Sequence, residues 1–292
     1  MAQGIGLLME GGALRGLFTA GVLDLLMELE LPIACAVGVS AGAAFGCNLK
    51  SRQPGRVLRY NLRFCRDPRY WSWQSLAKTG DLFGADFCYR AIPLELDPFD
   101  TQAYNQNPME FHVVCTDVDS GKPVYQDCSQ YGPDTMDWFR ASASMPFLSH
   151  PVEIGGRRFL DGGIADPIPI QWLESRGFET NIVILTQPRS YVKKPMTGGK
   201  LLEAALKGYP ALREPMEGRH LRYAESRARV FTLERAGKAL VICPEEALPV
   251  SRLTHDPAKL QGAWALGRAA GEKALPALRE LIRRIQQEEA RT

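Results

Sequence analysis

Apolar runs and helical spacings alternate at the start of the chain. Gly4 to Met9 is an apolar run of strand length, followed by the glycine-rich turn EGGALRG from Glu10 to Gly16. Leu17, Ala20, Leu23, Leu26 and Met27 then recur at helical spacing until Pro32 stops the helix. A second apolar run, Ala34 to Val39, leads into Ser40 and a helix of small residues opening at Ala41. Strand, helix, strand, helix in this order predicts an α/β fold, with parallel strands joined by right-handed crossovers. Ligands on such sheets bind at the carboxyl ends of the strands, the edge at which both glycine turns lie.

The pattern then changes. Residues 54 to 100 are rich in arginine and aromatics and read as helices and loops, a cover beside the site. MEFHVVCTDVDSGKPVYQ predicts two strands around an Asp-Ser-Gly-Lys turn, and PDTMDWFRASASMP a helix ending before Pro146. VEIGGRRFLDGG is a hairpin whose Gly155-Gly156 pair suits the positive φ angles of a two-residue loop. NIVILTQP, from Asn181, is another buried strand. After Arg189 the sequence becomes basic and helix-rich, with a final helix expected from Asp256 to Glu289. These shifts divide the chain into residues 1–190 and residues 191–292, a helix-rich C-terminal extension to which the motifs assign no role.

Composition narrows the function. The 292 residues carry a formal net charge of +2, which gives no electrostatic reason to expect nucleic acid as a partner. Seven cysteines, none in a Cys-x-x-Cys pair, indicate reduced thiols rather than a disulfide framework or a zinc site. The start MAQGIGLLMEGG lacks the basic residues of a signal peptide, and Asp24, Glu28 and Glu30 interrupt the long apolar region, so no segment spans a bilayer. The expectation is a cytoplasmic protein, peripheral at most, without metal or cofactor.

Two stretches could carry chemistry. In GVSAG, Gly38 and Gly42 flank a tight strand-to-helix turn that presents Ser40 beside the positive end of a helix, a nucleophile's position. EGGALRG leaves backbone N–H groups pointing one way, which makes an anion site. A dinucleotide site would need an acidic residue ending the next strand, and a phosphate loop needs Gly-Lys-Ser/Thr; neither is present. An oxyanion hole serving Ser40 remains, beside the plainer reading of a glycine turn without ligand. For the base, His112, His150, His220 and His255 all lie outside any context resembling a catalytic loop, whereas Asp161 ends a short strand before Gly162-Gly163.

Together, GGALRG, GVSAG and FLDGG resemble the patatin-like phospholipase family, over roughly residues 4 to 187 and including RASASMPFLSHPVEIGGRRFLDGG. The resemblance implies a three-layer fold with a mainly parallel central sheet flanked by helices, and hydrolysis of lipid acyl esters by a Ser-Asp dyad. Ser40 would be the nucleophile and Asp161 the base; Gly11, Gly12 and Ala13 would line the oxyanion hole, with Arg15, Gly16, Gly38, Gly42, Gly162 and Gly163 supporting the motifs. Ala13 stands for the family's third glycine, Glu10 for its usual Asp and Asp166 for a frequent Asn. Arg15 reads as a structural residue bonding loop carbonyls, and Tyr70, Trp71, Trp73, Phe83 and Phe87 as an acyl-binding cover or ordinary core. The expected partner is a lipid or acyl-ester substrate, with transient contact at a membrane surface. The alternatives are a Ser-His-Asp esterase using His220 or His255, and a lipid-binding module of the same fold without turnover.

Overall fold

The computed structural model describes residues 4–196 and 206–289. The first apolar runs form β1 (Ile5–Met9) and β2 (Ile33–Val39), joined by α1 (Gly16–Glu28), and α2 (Ala41–Lys50) follows. Both strands are buried almost throughout, as strands covered on both faces must be. The cover segment holds α3 (Arg56–Phe64), α4 (Trp73–Thr79), a π-helical stretch over Phe87–Leu96 and α5 (Thr101–Gln106). Then come β3 (Glu110–Asp117), β4 (Pro123–Asp127), α6 (Thr135–Ala143), the hairpin β5 (Val152–Ile154) and β6 (Arg157–Asp161), α7 (Ile170–Ser175) and β7 (Asn181–Ile184). Gly155 and Gly156 turn the hairpin with φ of 57° and 73°.

With β8 (Ala239–Ile242), one eight-stranded sheet runs through the protein in the order β5-β6-β3-β2-β1-β7-β8, with β4 paired to β3. The pairs β1–β2, β2–β3, β1–β7 and β7–β8 are parallel; β4, β5 and β6 form the antiparallel side. Helices cover the sheet, giving the mixed α/β architecture expected.

The C-terminal region contains α8 (Arg213–Glu217), α9 (Arg219–Arg235), β8 (Ala239–Ile242), α10 (Pro257–Lys273) and α11 (Leu275–Glu289). It is helical as anticipated, and it also lends β8 to the sheet, so both sides of residue 190 share one core. α10 lies directly on α1: a Cβ at Gly21 would sit 2.1 Å from the Trp264 carbonyl oxygen, and one at Gly267 would sit 1.9 Å from that of Phe18. Only glycine at both crossings allows this approach, and Trp264 Nε1 donates to Asp24 Oδ2 at 2.7 Å to fix it. The single final helix read from the sequence is two helices. Pro276 cannot donate its backbone nitrogen, so the run breaks at Ala274.

All seven cysteines are free thiols. Among the described residues no helix is long and apolar enough to cross a membrane.

Candidate active site

Ser40 sits between β2 and α2 with φ 56° and ψ −122°, a left-handed conformation unusual for a residue with a side chain. The crowding around it explains the flanking glycines. A Cβ at Gly38 would lie 2.6 Å from the Gly42 carbonyl oxygen, and one at Gly42 would lie 2.2 Å from that of Met9. Ser142 Oγ locks the turn, accepting the Ser40 N–H at 2.8 Å and donating to the Val114 carbonyl at 2.7 Å. Ser142 was not singled out from sequence; RASASMP offers two serines with nothing to mark the one that meets Ser40.

The sheet brings Asp161 to the same edge. β3 pairs with β2 at Val39–Val114 and with β6 at Cys115–Asp161, so the serine and the carboxylate leave strands that flank one neighbour. The Asp161 N–H donates to the Ser144 carbonyl at 2.8 Å, and its own carbonyl accepts from Thr116 Oγ1 at 2.9 Å. Gly163 N–H donates to Asp161 Oδ1 at 2.7 Å. Burial raises the Asp161 pKa above the ordinary carboxylate value, against the pull of Arg219, a hydrogen bond from the Ser40 hydroxyl and the Gly163 N–H.

Gly11, Gly12 and Ala13 lie against the serine: a Cβ on Gly11 would stand 2.8 Å from that of Ser40. Neighbouring amides are spent, with Glu10 N–H on Ile184 O (3.0 Å), Leu14 N–H on Arg252 O (3.4 Å) and Arg15 N–H on Gly12 O (3.2 Å). Among the described residues no carbonyl takes the N–H groups of Gly11, Gly12 or Ala13. Ala13 holds φ 50°, so the chain adopts here the left-handed turn that glycine would adopt freely. Gly16 opens α1 directly behind the loop. Glu10 anchors its start, accepting from Tyr223 Oη and the Thr186 N–H, each at 2.6 Å. Asp166, beyond Gly162 and Gly163, accepts from Tyr125 Oη at 2.7 Å.

Two grooves meet at Ser40. The apolar one is walled by Ala44, Tyr70, Phe83, Tyr89, Ile92 and Met136 among others. Of the aromatic stretch, Tyr70 and Phe83 reach this wall, Trp71 and Phe87 are buried, and Trp73 is 63% exposed. The polar groove contains Gly11, Gly12, Asp161, Arg15, Lys193, Arg219 and Arg252. Among the described residues Arg15 bonds no loop carbonyl, contrary to the sequence reading; its Nε is buried without a partner, and the residue lines this groove. Lys193, Arg219 and Arg252 were not anticipated either. They come from separate turns of the C-terminal region, and spacing alone gives no sign that they converge.

None of the four histidines lines either groove. His112 contacts Glu110 at 3.1 Å and His220 the Glu217 carbonyl at 3.0 Å. His255 contacts the Cys65 carbonyl and stacks on Trp71 at 3.7 Å, while the His150 ring packs over Gly80. Cys35, Glu110 and His112 cluster closely enough to hold an ion. Arg176 already pairs with Glu110 at 2.6 Å and burial pushes the Cys35 thiol up to about 12, so that donor set is poorly prepared for a metal.

A strained serine turn at the carboxyl edge of a mainly parallel sheet, opposite a buried carboxylate, defines an α/β protein whose candidate site is built on Ser40 and Asp161. The family model described as patatin-like phospholipase matches residues 7–173, and the chain belongs to that family. A second model, a domain of unknown function named DUF6363, matches residues 209–283. The uncharacterized protein YjjU of Escherichia coli is 32% identical over 65% of this chain and 54% of its own length. Lysophospholipase NTE1 of Candida glabrata is 28% identical over 61% of this chain and 10% of its own. The chain thus spans about half of the first relative and a small part of the second. The crystal structure of VipD from Legionella pneumophila aligns with a TM-score of 0.49 and 14% identity, over 94% of this chain and 67% of that one.

Proposed function

We propose that the protein hydrolyses lipid acyl esters through a Ser40–Asp161 dyad. The observation that carries this reading is the convergence, in one groove, of the strained Ser40, the buried Asp161 carboxylate and the unpaired amides of Gly11 to Ala13. Gly163 holds Asp161 Oδ1, which leaves the other carboxylate oxygen for the serine proton. Ser40 Oγ attacks the ester carbonyl as Asp161 takes that proton, and the loop amides hold the oxyanion. The bond from the carbonyl carbon to the alcohol oxygen breaks, and Asp161 returns the proton to the leaving alcohol. Water then attacks the acyl-serine, giving a proton to Asp161; the acid leaves and Ser40 regains its hydrogen. Burial is what makes an aspartate adequate as the base, because its raised pKa narrows the gap to the serine hydroxyl.

The lysophospholipase named among the relatives supports a lipid ester as substrate. The apolar groove is suited to an acyl chain, because it is walled by aliphatic and aromatic side chains and ends on Ser40. The placement of the histidines supports the dyad over a Ser-His-Asp arrangement. The deciding experiment compares the parent protein with Ser40→Ala on nitrophenyl esters of graded chain length, alongside labelling by a fluorophosphonate. Stoichiometric labelling and hydrolysis, both lost in Ser40→Ala, are expected. A protein that neither labels nor hydrolyses would instead be a lipid-binding module.

A further inference from the structure

The polar groove carries more positive charge than ester hydrolysis requires. Arg15, Lys193, Arg219 and Arg252 face it, with Glu10 and Asp161 as the carboxylates. The two carboxylates offset only part of this charge: Asp161 acts on Arg219, and Glu10 on Arg15 and Lys193. Glu10 is occupied by Tyr223 Oη and the Thr186 N–H. Among the described residues none of the four cations lies within ion-pair distance of any carboxylate; the surface arginines nearby are paired, as Arg189 is with Glu234 at 2.5 Å and Arg229 with Glu174 at 2.5 Å. Arg219 is held in place by donating Nε to the Gly163 carbonyl, which turns its guanidinium toward the catalytic edge. Arg15 Nε is buried and without an acceptor. The cations also repel one another: burial, together with Arg219, Arg252 and Arg15, brings Lys193 down to about 8. Negative charge brought to such an arrangement relieves that repulsion.

We propose that these four side chains form a subsite for the phosphate of an anionic acyl ester, so that the C-terminal region builds the headgroup pocket of the enzyme. The inference rests on the hydrolase reading of Ser40. It assigns a role to the region matched by DUF6363, because Arg219 and Arg252 both lie within it. Four cations against two carboxylates match a phosphate monoester dianion, as in a monoacyl glycerol phosphate, better than a zwitterionic or neutral headgroup. Bidentate guanidinium contacts suit phosphate oxygens. Because Ser40 and the cations share one groove, phosphate and scissile ester can belong to the same small molecule, with the acyl chain running the other way.

The test measures binding in a Ser40→Ala background, where turnover cannot interfere and an inactive parent protein does not remove the readout. Calorimetry compares myristoyl glycerol phosphate, myristoyl glycerol, myristoyl glycerophosphocholine and inorganic phosphate, each below its micellar concentration. The phosphate monoester is expected to bind at least about tenfold more tightly than the neutral ester, the effect of one charge-assisted contact at a partly exposed site. Adding Arg252→Gln, or separately Lys193→Gln, should bring that ratio toward one; Arg252 is exposed, so its loss spares the core. Equal affinity for charged and neutral esters, or a ratio that both substitutions leave intact, would overturn the proposal. Inorganic phosphate binding as tightly as the acylated compound would assign the subsite to free phosphate and overturn the substrate reading as well.

Discussion

The two grooves that meet at Ser40 treat charge in opposite ways. The apolar groove also contains ionic side chains, but each has its partner: Arg140 lies 3.2 Å from Asp81 and Arg56 3.3 Å from Asp97. In the polar groove the carboxylates are engaged by hydrogen bonds, and among the described residues the cations form no salt bridge. Pairing makes the first groove effectively neutral, as an acyl chain requires, because an unpaired charge there would lose its solvation when the chain entered. The second keeps its charge available for a ligand. A site built this way is polarised along one line, with Ser40 at the junction.

The largest effect expected from disturbing that junction is at Asp161. Asp161→Asn keeps the side chain's size but cannot accept the serine proton, so ester hydrolysis should fall ~100- to 10,000-fold, with cooperative melting retained. In the proposed mechanism the base works only when ionised. Its folded pKa is raised, chiefly by burial, so activity is lost as pH falls through a value above the ordinary 3.8. The pH–rate profile should show that one acidic limb, and substituting any of the four histidines by alanine should leave it in place. A histidine variant as inactive as Ser40→Ala would replace the dyad with a triad.

A smaller effect should separate the two grooves. Ala85 is half-buried and lines the apolar groove, outside the polar one. Ala85→Trp should fill the space for distal methylenes and lower kcat/KM for long-chain nitrophenyl esters by about tenfold or more, while short-chain esters are spared. A uniform loss over all chain lengths would place the acyl chain elsewhere.

What could be read from sequence divides along similar lines. The placement of Ser40, Asp161 and the Gly11–Ala13 loop at one sheet edge was legible because tight turns demand glycine at fixed offsets. The parallel core was legible for a related reason, since strands buried on both faces are continuous apolar runs. Arg219, Arg252, Lys193 and Tyr223 act through long side chains on a helix and loops far along the chain, and local spacing carries no trace of where such side chains end. Their segment reads as a solvated basic face with interspersed glutamates. Part of it is just that, with Arg189 and Arg229 paired at the surface. The contribution of β8 to the sheet was likewise hidden, because four residues, ALVI, carry too short a pattern to declare a partner.

The smallest expected effect is that of salt, and it distinguishes the grooves without any substitution. Mobile ions screen charges that solvent reaches, over a Debye length of about 8 Å near physiological ionic strength, and screen buried charges far less. Arg252 is exposed, whereas Arg15, Lys193 and Arg219 are partly sheltered, so only a fraction of the attraction for a phosphate-bearing ester is open to screening. Raising sodium chloride from about 0.05 to about 0.5 M should therefore lower kcat/KM for an acyl glycerol phosphate by roughly two- to fourfold. Nitrophenyl butyrate, which brings no charge, should be hydrolysed at the same rate throughout. The two substrates are compared in one enzyme preparation, so a general effect of salt on stability would move both. Parallel slopes would mean that the cations never meet the substrate, and divergent slopes would locate the charge-dependent step in the polar groove.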